Sequence, residues 1–401
     1  MIVSQLVNNL KPSATLSINS KVKHLRSNGI DVIGFSAGEP DFDTPDYIKL
    51  AAIESLKSGF TKYTPTSGII ELKEAICEKL RRENGLSYEP QQIMASCGAK
   101  QAIYNCILTL CNEDDEVLVP SPYWVSYPEQ VALARAKPVF IKTTDENNFK
   151  ITKDDLETHI TDKTKLLIIN SPSNPTGTTY TKEDLYEICD SAIKAGLYIL
   201  SDEIYEKILY DGTKHVSPAS FGKEFMDKVI TVNGFSKAFS MTGWRIGYAA
   251  GPLDIIKAAT MLQDHTTSGP NSFTQKAAVT ALNEQNNATA DMVVEFDKRR
   301  KYIVERLNNM DGISCMLPKG AFYVFPNVSD LFGRNIAGQK AADSIELVAL
   351  ILDKAKVAFV PGECFGSKSH VRISYATSME NIKEGMNRLE NLLSAGITHD
   401  G

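Results

Sequence analysis

The chain has 401 residues, of which 43% are hydrophobic and 23% charged, proportions that are ordinary for a globular protein. Its formal net charge of -6 argues against a protein that binds nucleic acid or an anionic membrane, because such proteins usually carry basic patches. Seven cysteines without a Cys-x-x-Cys pair favour free thiols in a reducing compartment, and six histidines without a metal-ligand spacing argue against a metal site.

Short apolar runs and helical patterns alternate along most of the chain. Residues 1–20 lack the apolar core of a signal peptide, and no stretch is long enough to span a bilayer, so we expect a cytoplasmic protein. Further on, the strand-like runs are 116–119, 138–141, 166–169, 197–200 and 229–232. Between them we predict helices over 99–110 and 182–195, the second with Thr181 as its N-cap and Gly196 as its end. This alternation predicts crossover units on a largely parallel sheet, and thus an α/β fold.

A change of pattern near residue 295 predicts a second domain. A charged helix over 295–308 leads to three strand-like runs, at 321–325, 357–360 and 371–375, which with their flanking helices predict a smaller α+β domain. The first forty or so residues have no core of their own and are expected to pack onto that domain. The predicted division is therefore 1–45 for an N-terminal arm and part of the small domain, 46–295 for the large domain, and 296–401 for the small C-terminal domain.

Two polar residues follow predicted strands, where open α/β sheets place their ligands. Asp202 comes just after the run 197–200, and a buried carboxylate there is costly unless it meets a cation. It is either a helix cap or salt-bridge partner, or the partner of a protonated ring nitrogen in a cofactor. Asn174 lies in the Pro- and Gly-rich segment 171–177, which either is only a rigid turn or places the amide against a ring hydroxyl.

Lys237 follows the run 229–232 and stands among apolar residues, whereas most lysines are solvated surface charges. Desolvation lowers the pKa of a lysine and leaves its amine a better nucleophile for a carbonyl, which is the requirement for a Schiff base. Arg245 lies eight residues further on, close enough to share a phosphate site.

The other two candidates are a helix start and a strand arginine. Gly98, Ala99 and Lys100 open the helix 99–110, and small residues there either serve packing alone or present free backbone N–H groups to a phosphate. Arg372, in the run 371–375, either makes a structural salt bridge or offers its planar fork to a carboxylate.

Together with several further motifs, these residues identify a family. The motifs are 12–15, 38–42, 62–65, 121–128, 171–177, 201–205, 236–245 and 371–375. Over nearly its whole length the chain resembles the class I aminotransferases of the fold-type I pyridoxal-phosphate enzymes. More narrowly, it resembles the bacterial aspartate aminotransferase subgroup, which includes aspartate/prephenate aminotransferases. The resemblance implies a large domain with a mostly parallel seven-stranded sheet covered by helices, and a smaller α+β domain built from the two termini.

The resemblance also implies a role for each candidate. Lys237 would bind pyridoxal phosphate covalently and shuttle protons, Asp202 would pair with the pyridine nitrogen, and Tyr63 would reach the phosphate from a second subunit. Arg372 would hold the α-carboxylate of the substrate beside the Gly38 backbone. The implied cofactor-binding residues are Tyr63, Gly98, Ala99, Lys100, Trp124, Asn174, Asp202, Tyr205, Lys237 and Arg245, and the implied substrate-binding residues are Ser13, Thr15, Gly38, Lys100, Trp124, Asn174 and Arg372.

One departure from the animal-type enzymes bears on the substrate. Those enzymes bind the distal carboxylate through a second arginine, but the matching segment, 266–272, contains none. The bacterial subgroup uses a lysine and N-terminal hydroxyls, and Lys100, Thr15 and Ser13 stand at those positions. We therefore expect a dicarboxylic substrate, although Lys100 could instead only reinforce the phosphate site.

The function expected from the resemblance is transfer of the amino group of L-aspartate to 2-oxoglutarate, with ping-pong kinetics, in a homodimer with shared active sites. An aspartate/prephenate aminotransferase of dual specificity remains open, as does a lyase, synthase or decarboxylase on the same fold. A non-catalytic regulator or a dinucleotide-binding module is the alternative from another class. The absence of a G-x-G-x-x-G motif after a strand argues against the dinucleotide binder.

Overall fold

The computed structural model describes residues 3–8, 10, 12–284 and 286–394. Residues 1, 2, 9, 11, 285 and 395–401, which the predicted domains include, lie outside the described residues.

Strands and helices alternate in the described chain as the sequence predicts. The strands are β1 (Ile33–Gly34), β2 (Ile93–Ser96), β3 (Glu116–Ser121), β4 (Lys137–Lys142), β5 (Thr164–Asn170), β6 (Tyr198–Asp202), β7 (Val229–Gly234), β8 (Gly247–Ala250), β9 (Tyr323–Val324), β10 (Val357–Ala358), β11 (Val360–Pro361) and β12 (Val371–Ser374). The α-helices are α1 (Gln5–Asn8), α2 (Ala14–Ser27), α3 (Asp46–Lys57), α4 (Ile70–Lys79), α5 (Ala99–Leu110), α6 (Ser126–Leu133), α7 (Lys153–Glu157), α8 (Lys182–Lys194), α9 (Lys223–Met226), α10 (Leu253–Asp264), α11 (Ser272–Asn283), α12 (Ala288–Asn308), α13 (Ser344–Ala355) and α14 (Met379–Ser394). A π-helical turn, Leu80–Asn84, continues α4, and short 3-10 turns lie at Pro90–Gln92, Asp145–Asn147, Pro218–Phe221, Ser329–Leu331 and Gly362–Phe365.

Seven strands form the main sheet, in the order β2-β8-β7-β6-β5-β3-β4. The pairs β4–β3, β3–β5, β5–β6 and β6–β7 are parallel, and β8 runs antiparallel to both of its neighbours. Apolar side chains of the central strands pack into cores on both faces of the sheet, because helices cover each side. The predicted mostly parallel, seven-stranded α/β fold is confirmed. Within the described residues, no helix combines the length and the apolar character needed to cross a membrane.

The helices that flank the site begin and end for local reasons. The helix predicted over 99–110 is α5 without any change of bounds. In α8 the Thr181 hydroxyl accepts the Asp184 N–H at 3.1 Å, so the predicted N-cap is confirmed. Gly196 follows with a φ of 84°, a left-handed conformation that suits glycine and stops the helix.

The N-terminal segment joins the C-terminal part of the chain. β1 pairs in parallel with β10, while β11, β12 and β9 form a three-stranded antiparallel sheet. The prediction of one strand over 357–360 is wrong, because β10 and β11 pair with different sheets and Phe359 separates them. The charged helix is longer than predicted, since α12 begins at Ala288. It crosses the predicted boundary at 295/296, and the division into domains stays a prediction.

Candidate active site

A cavity of about 660 Å³ lies at the carboxyl ends of β5, β6 and β7. Parallel strands end at one edge of a sheet, so polar residues that follow different strands meet there. The structure brings together twelve of the predicted site residues as cavity lining: Ser13, Thr15, Gly38, Ala99, Lys100, Trp124, Asn174, Asp202, Tyr205, Lys237, Arg245 and Arg372. The other two, Gly98 and Tyr63, lie outside this lining.

The Lys237 amine projects into the cavity from the loop after β7. It donates a hydrogen bond to the Gly38 carbonyl and lies 5.9 Å from the centre of the Tyr205 ring. Burial lowers the pKa of Lys237 to about 8, an effect that Glu39 opposes and the nearby arginines reinforce. The neutral, nucleophilic form of this amine is therefore far more accessible near neutral pH than that of an ordinary lysine.

Asp202, the last residue of β6, is 4% exposed. Its carboxylate accepts the Tyr127 hydroxyl at 2.6 Å and the Ile204 N–H at 3.2 Å. Burial raises the pKa of Asp202 to about 6, and these two hydrogen bonds limit the rise. Both donors are neutral, and no cation among the described residues forms a salt bridge with this carboxylate. Asp202 is thus suited to a cationic N–H group brought by a ligand.

The residues predicted to bind the phosphate lie around the start of α5. Gly98 precedes α5 with a φ of 87°, and a Cβ added there would lie 2.6 Å from Nη2 of Arg245. Arg245 donates to the Thr242 carbonyl at 2.8 Å and to the Cys97 carbonyl at 3.3 Å. The first N–H groups of α5 and one guanidinium therefore lie together, an arrangement suited to a phosphate.

Arg372 lies on β12 and is only 2% exposed. It donates to the Asn174 side-chain oxygen and to the Ser36 carbonyl, both at 2.9 Å, and its guanidinium stacks 4.6 Å from the centre of the Tyr323 ring. Its Nε is buried without a partner among the described residues. These contacts hold the planar fork in one orientation, as carboxylate recognition requires.

The residues predicted to bind the distal carboxylate of the substrate, Lys100, Thr15 and Ser13, line the same cavity. The Lys100 amine is 4.9 Å from the centre of the Trp124 ring, and burial followed by the charge of Arg245 lowers its pKa. Thr15 and Ser13 line the cavity from the start of α2. Lys100 therefore shares the cavity with both hydroxyl residues and with Arg245, and the two roles considered for it stay predictions.

Sequence reasoning assigned no role to several residues that shape the site. Tyr127 bonds Asp202, and Tyr323 both stacks on Arg372 and shares a 2.8 Å hydrogen bond with the Tyr205 hydroxyl. Asn170 donates to the Asp202 carbonyl at 3.0 Å and accepts the backbone N–H of residue 174 at 2.8 Å. Asn170 is a polar residue at the end of an apolar strand, the same signal that selected Asp202, so it could have been found.

Tyr63 lies on the surface of the single chain, where it is fully exposed. Its predicted contact with the phosphate requires a second subunit, and it stays a prediction.

A separate group of possible metal ligands lies outside the cavity. Atoms of Glu203, Glu206 and His215 that could each bind an ion are within 4.8 Å of one another. Sequence spacing did not bring these residues together, and the expectation of no metal site stays a prediction.

The family to which the chain belongs is that of the class I and II aminotransferases, whose sequence model matches residues 30–389. This family consists of pyridoxal-phosphate enzymes that act on amino and oxo acids. The predicted family and enzyme class are confirmed.

Individual relatives match over nearly the whole chain. An aspartate aminotransferase from Bacillus sp. (strain YM-2) is 47% identical over 394 residues, which are 98% of this chain and 99% of the relative. A probable aspartate/prephenate aminotransferase from Aquifex aeolicus (strain VF5) is 45% identical over 96% of this chain and 97% of its own length. The crystal structure of the aspartate aminotransferase from Rhizobium meliloti superposes with a TM-score of 0.95 at 39% identity, covering 98% of this chain and 99% of that one.

Proposed function

We propose that the protein is an aspartate aminotransferase that uses pyridoxal phosphate to transfer the amino group of L-aspartate to 2-oxoglutarate. The observation that carries the proposal is the pairing, in one cavity, of a lysine amine with a pKa near 8 and a buried carboxylate that lacks a cation. The names of the full-length relatives support aspartate as the amino donor.

The residues of the cavity fit pyridoxal phosphate. Asp202 offers a buried carboxylate to the pyridinium N–H, and Trp124 offers an aromatic face to the ring. Gly98 lets the Arg245 guanidinium lie against the start of α5, because a Cβ at this position would be only 2.6 Å from Nη2, and this brings a cation to the helix N-terminus as a phosphate site requires. When bound, the cofactor supplies an electron sink that stabilises negative charge at the α-carbon of the substrate.

Lys237 is the group placed to move protons. Its Nζ accepts the proton from the α-carbon of the substrate and returns a proton on completion of the transfer. One amine can serve as base and then as acid because its pKa, about 8, lies close to neutral pH. The Gly38 carbonyl holds this amine near the wall where Arg372 lies.

Arg372 would bind the α-carboxylate of the substrate, and Lys100 with its two neighbouring hydroxyl residues in the cavity lining would bind the distal carboxylate. The Arg372 fork, fixed by Asn174 and Ser36, takes the α-carboxylate. Lys100, Thr15 and Ser13 take the distal carboxylate, which favours a dicarboxylic substrate over an amino acid with an apolar side chain.

The proposal is tested first by the cofactor and then by the reaction. The purified protein should be yellow, and borohydride should fix the cofactor to the Lys237 peptide, as mass spectrometry would detect. Aspartate with 2-oxoglutarate should yield glutamate with ping-pong kinetics, and Lys237→Ala should abolish turnover. Near-normal activity in that variant, or no glutamate from the wild type, would overturn the proposal.

The substrate assignment is tested at Lys100. Lys100→Ala should raise KM for aspartate and 2-oxoglutarate while cofactor affinity changes little, because the distal carboxylate loses its cation. Lys23→Ala is the control, since Lys23 also lines the cavity but has no assigned role. Weaker cofactor binding with unchanged KM values would instead assign Lys100 to the phosphate site. Prephenate, tested as an amino acceptor, decides between the aspartate enzyme and the dual-specificity alternative suggested by the Aquifex relative.

We further propose a homodimer in which Tyr63 of each subunit completes the site of the other. Mixing the inactive Lys237→Ala chain with a Tyr63→Ala chain should then restore activity, because one site of each mixed dimer receives both wild-type residues. A mixture no more active than its components would refute the shared site. The cytoplasmic location stays a prediction.

A further inference from the structure

The segment between α3 and α4 that carries Tyr63, residues 60–69, is held in place from beneath and is called the Tyr63 loop below. The Tyr63 side chain is fully exposed and makes no hydrogen bond to any residue that the structure describes. Surface loops are in general more mobile than the elements that they connect. This loop, however, rests on two completely buried glutamines, Gln263 of α10 and Gln275 of α11. It is therefore held more firmly than the surface position of Tyr63 alone requires.

Gln275 uses every polar atom of its side chain. Its Oε1 accepts the backbone N–H of Ile69 at 2.8 Å, and its Nε2 donates to the Thr64 hydroxyl at 2.9 Å and to the Pro270 carbonyl at 2.7 Å. Thr64 follows Tyr63 directly, and Ile69 is the last residue before α4. One side chain thus joins the residue next to Tyr63, the end of the loop and the segment that leads into α11.

Gln263 anchors the middle of the loop. Its Nε2 donates to the carbonyls of Thr66, at 3.0 Å, and Ala95, at 2.9 Å, while its Oε1 accepts Nδ2 of Asn105 at 2.9 Å. In addition, the Ala95 N–H donates to the Ser67 carbonyl at 3.0 Å. The loop is therefore tied to β2 directly and to α5 through Gln263.

Two glycines let the loop lie close to its supports. Gly68 has a φ of 101°, and a Cβ added there would lie 2.8 Å from the Cβ of Ala95. A Cβ added to Gly269, in the segment before α11, would lie 3.0 Å from the Pro65 carbonyl oxygen. Such close packing leaves the loop little room to shift. The place of Tyr63 is thus set by residues of other elements.

The hydrogen bonds of Gln275 distinguish it from a residue that only fills the core. An apolar side chain of the same length would occupy the same space, but it would leave the Ile69 N–H without the partner that it has here. Burying an amide is costly unless its polar atoms are bonded, and all those of Gln275 are bonded to the loop or to Pro270. Gln275 therefore specifies the conformation of the loop.

We propose that Gln275 is a positioning residue that fixes the Tyr63 loop, so that Tyr63 reaches the cofactor phosphate in the other subunit of the dimer. This inference rests on the proposed function, in which Tyr63 completes the site of the second subunit. Gln275 is completely buried in its own chain and acts only through the loop. Replacing it should consequently weaken the site of the other subunit and spare the site of its own.

The experiment uses mixed dimers of two differently tagged chains, purified by both tags. One chain, the loop chain, carries Lys237→Ala, and its Tyr63 loop serves the other chain. That other chain, the site chain, keeps Lys237 and is the only one that can link the cofactor covalently. Titration of the visible absorption of the linked cofactor then gives the dissociation constant of pyridoxal phosphate at one site. The mixed dimer without further substitutions is the reference.

Gln275→Met keeps the length of the side chain and removes its hydrogen bonds. In the loop chain it should raise the dissociation constant at least about threefold, because a loosened loop presents Tyr63 correctly for a smaller fraction of the time. In the site chain the same substitution should stay within about twofold of the reference, since that loop serves the silent site. The control is Gln92→Met, which removes a hydrogen bond to the Gly251 carbonyl outside the loop and should change neither dimer.

Other distributions of the effect contradict the proposed role. A loss of affinity confined to the site chain, or equal in both positions, would assign Gln275 to the fold of its own subunit and overturn the inference. An unchanged constant in the loop chain would overturn it as well. If Gln275→Met does not fold, Thr64→Val takes its place with the same expectations, because it removes the hydroxyl that Nε2 binds.

Failure of the proposed function would be seen separately. No cofactor linked to Lys237 in the wild type would refute the proposed cofactor chemistry. An unchanged constant with Tyr63→Ala in the loop chain would refute the shared site and this inference with it. Weaker binding with Tyr63→Ala but not with Gln275→Met, each in the loop chain, would refute this inference alone.

Discussion

Replacing Lys237 by methionine is expected to stabilise the cofactor-free protein at neutral pH. The pKa of Lys237 falls from the ordinary 10.5 to about 8 in the folded chain, so folding is penalised whenever the unfolded amine is protonated. At 1.36 kcal/mol per pKa unit, the penalty at pH 7 is about 3 kcal/mol. Methionine removes this penalty and also the hydrogen bond to the Gly38 carbonyl, a loss of about 1 kcal/mol, which leaves a net gain of about 2 kcal/mol.

The pH dependence tests the origin of this gain. Between pH 8 and 10.5 the unfolded chain binds more protons at Lys237 than the folded chain, so the stability of the wild type rises through this window. The advantage of the variant should therefore shrink above pH 8 and vanish at about pH 10, and at pH 10.5 the lost hydrogen bond should leave the variant less stable than the wild type. Urea unfolding of both proteins at pH 7 and pH 10.5 measures the difference.

The control is Lys57→Met, which changes a lysine on α3 whose side chain is 68% exposed. Its urea midpoint should stay close to that of the wild type at both pH values. If Lys237→Met were less stable than the wild type at pH 7, or equally more stable at both pH values, desolvation of the amine would not explain the effect.

Three further substitutions probe separate parts of the cavity. Arg372→Lys keeps the charge but loses the fork, so kcat/KM for aspartate should fall about 10- to 100-fold, whereas an unchanged value would exclude carboxylate binding there. Gly98→Ala should weaken cofactor binding at least about 10-fold in equilibrium dialysis, because its Cβ would meet Nη2 of Arg245 at 2.6 Å and its φ of 87° disfavours alanine. Tyr127→Phe removes a hydrogen bond that lowers the pKa of Asp202, so a smaller fraction of Asp202 would be ionised to pair with the pyridinium. Because the pyridinium withdraws electrons from the nitrogen that joins lysine and cofactor, the pH midpoint of the bound cofactor's visible absorption should rise. A lower midpoint would contradict the assigned hydrogen bond.

Much of the site could be predicted because its residues follow strands that periodicity identifies. Asp202 ends β6, Asn174 and Lys237 follow β5 and β7, and the parallel order of these strands brings the three side chains into one cavity. The family resemblance supplied roles for residues such as Arg372, whose strand position alone left a structural salt bridge open as well.

The rest depends on contacts that no local pattern reveals. Tyr127 meets Asp202 across 75 residues, and His215 meets Glu203 through a loop without strand or helix periodicity. The strands β2 and β8 are short, and alanine makes up part of each, so they lack the β-branched runs by which the central strands were found. The apolar run 357–360 looks continuous in sequence, yet its two halves pair with different sheets.

The pairing of β1 with β10 has a consequence for how the cavity is assembled during synthesis. The main sheet, with Asp202 and Lys237, is encoded continuously from β2 to β8, so the cofactor wall can form once that stretch has left the ribosome. The site for the substrate carboxylate forms later, because Arg372 donates a hydrogen bond to the Ser36 carbonyl, which lies 336 residues earlier in the chain. A nascent chain therefore completes the groups for the cofactor well before those for the substrate carboxylate.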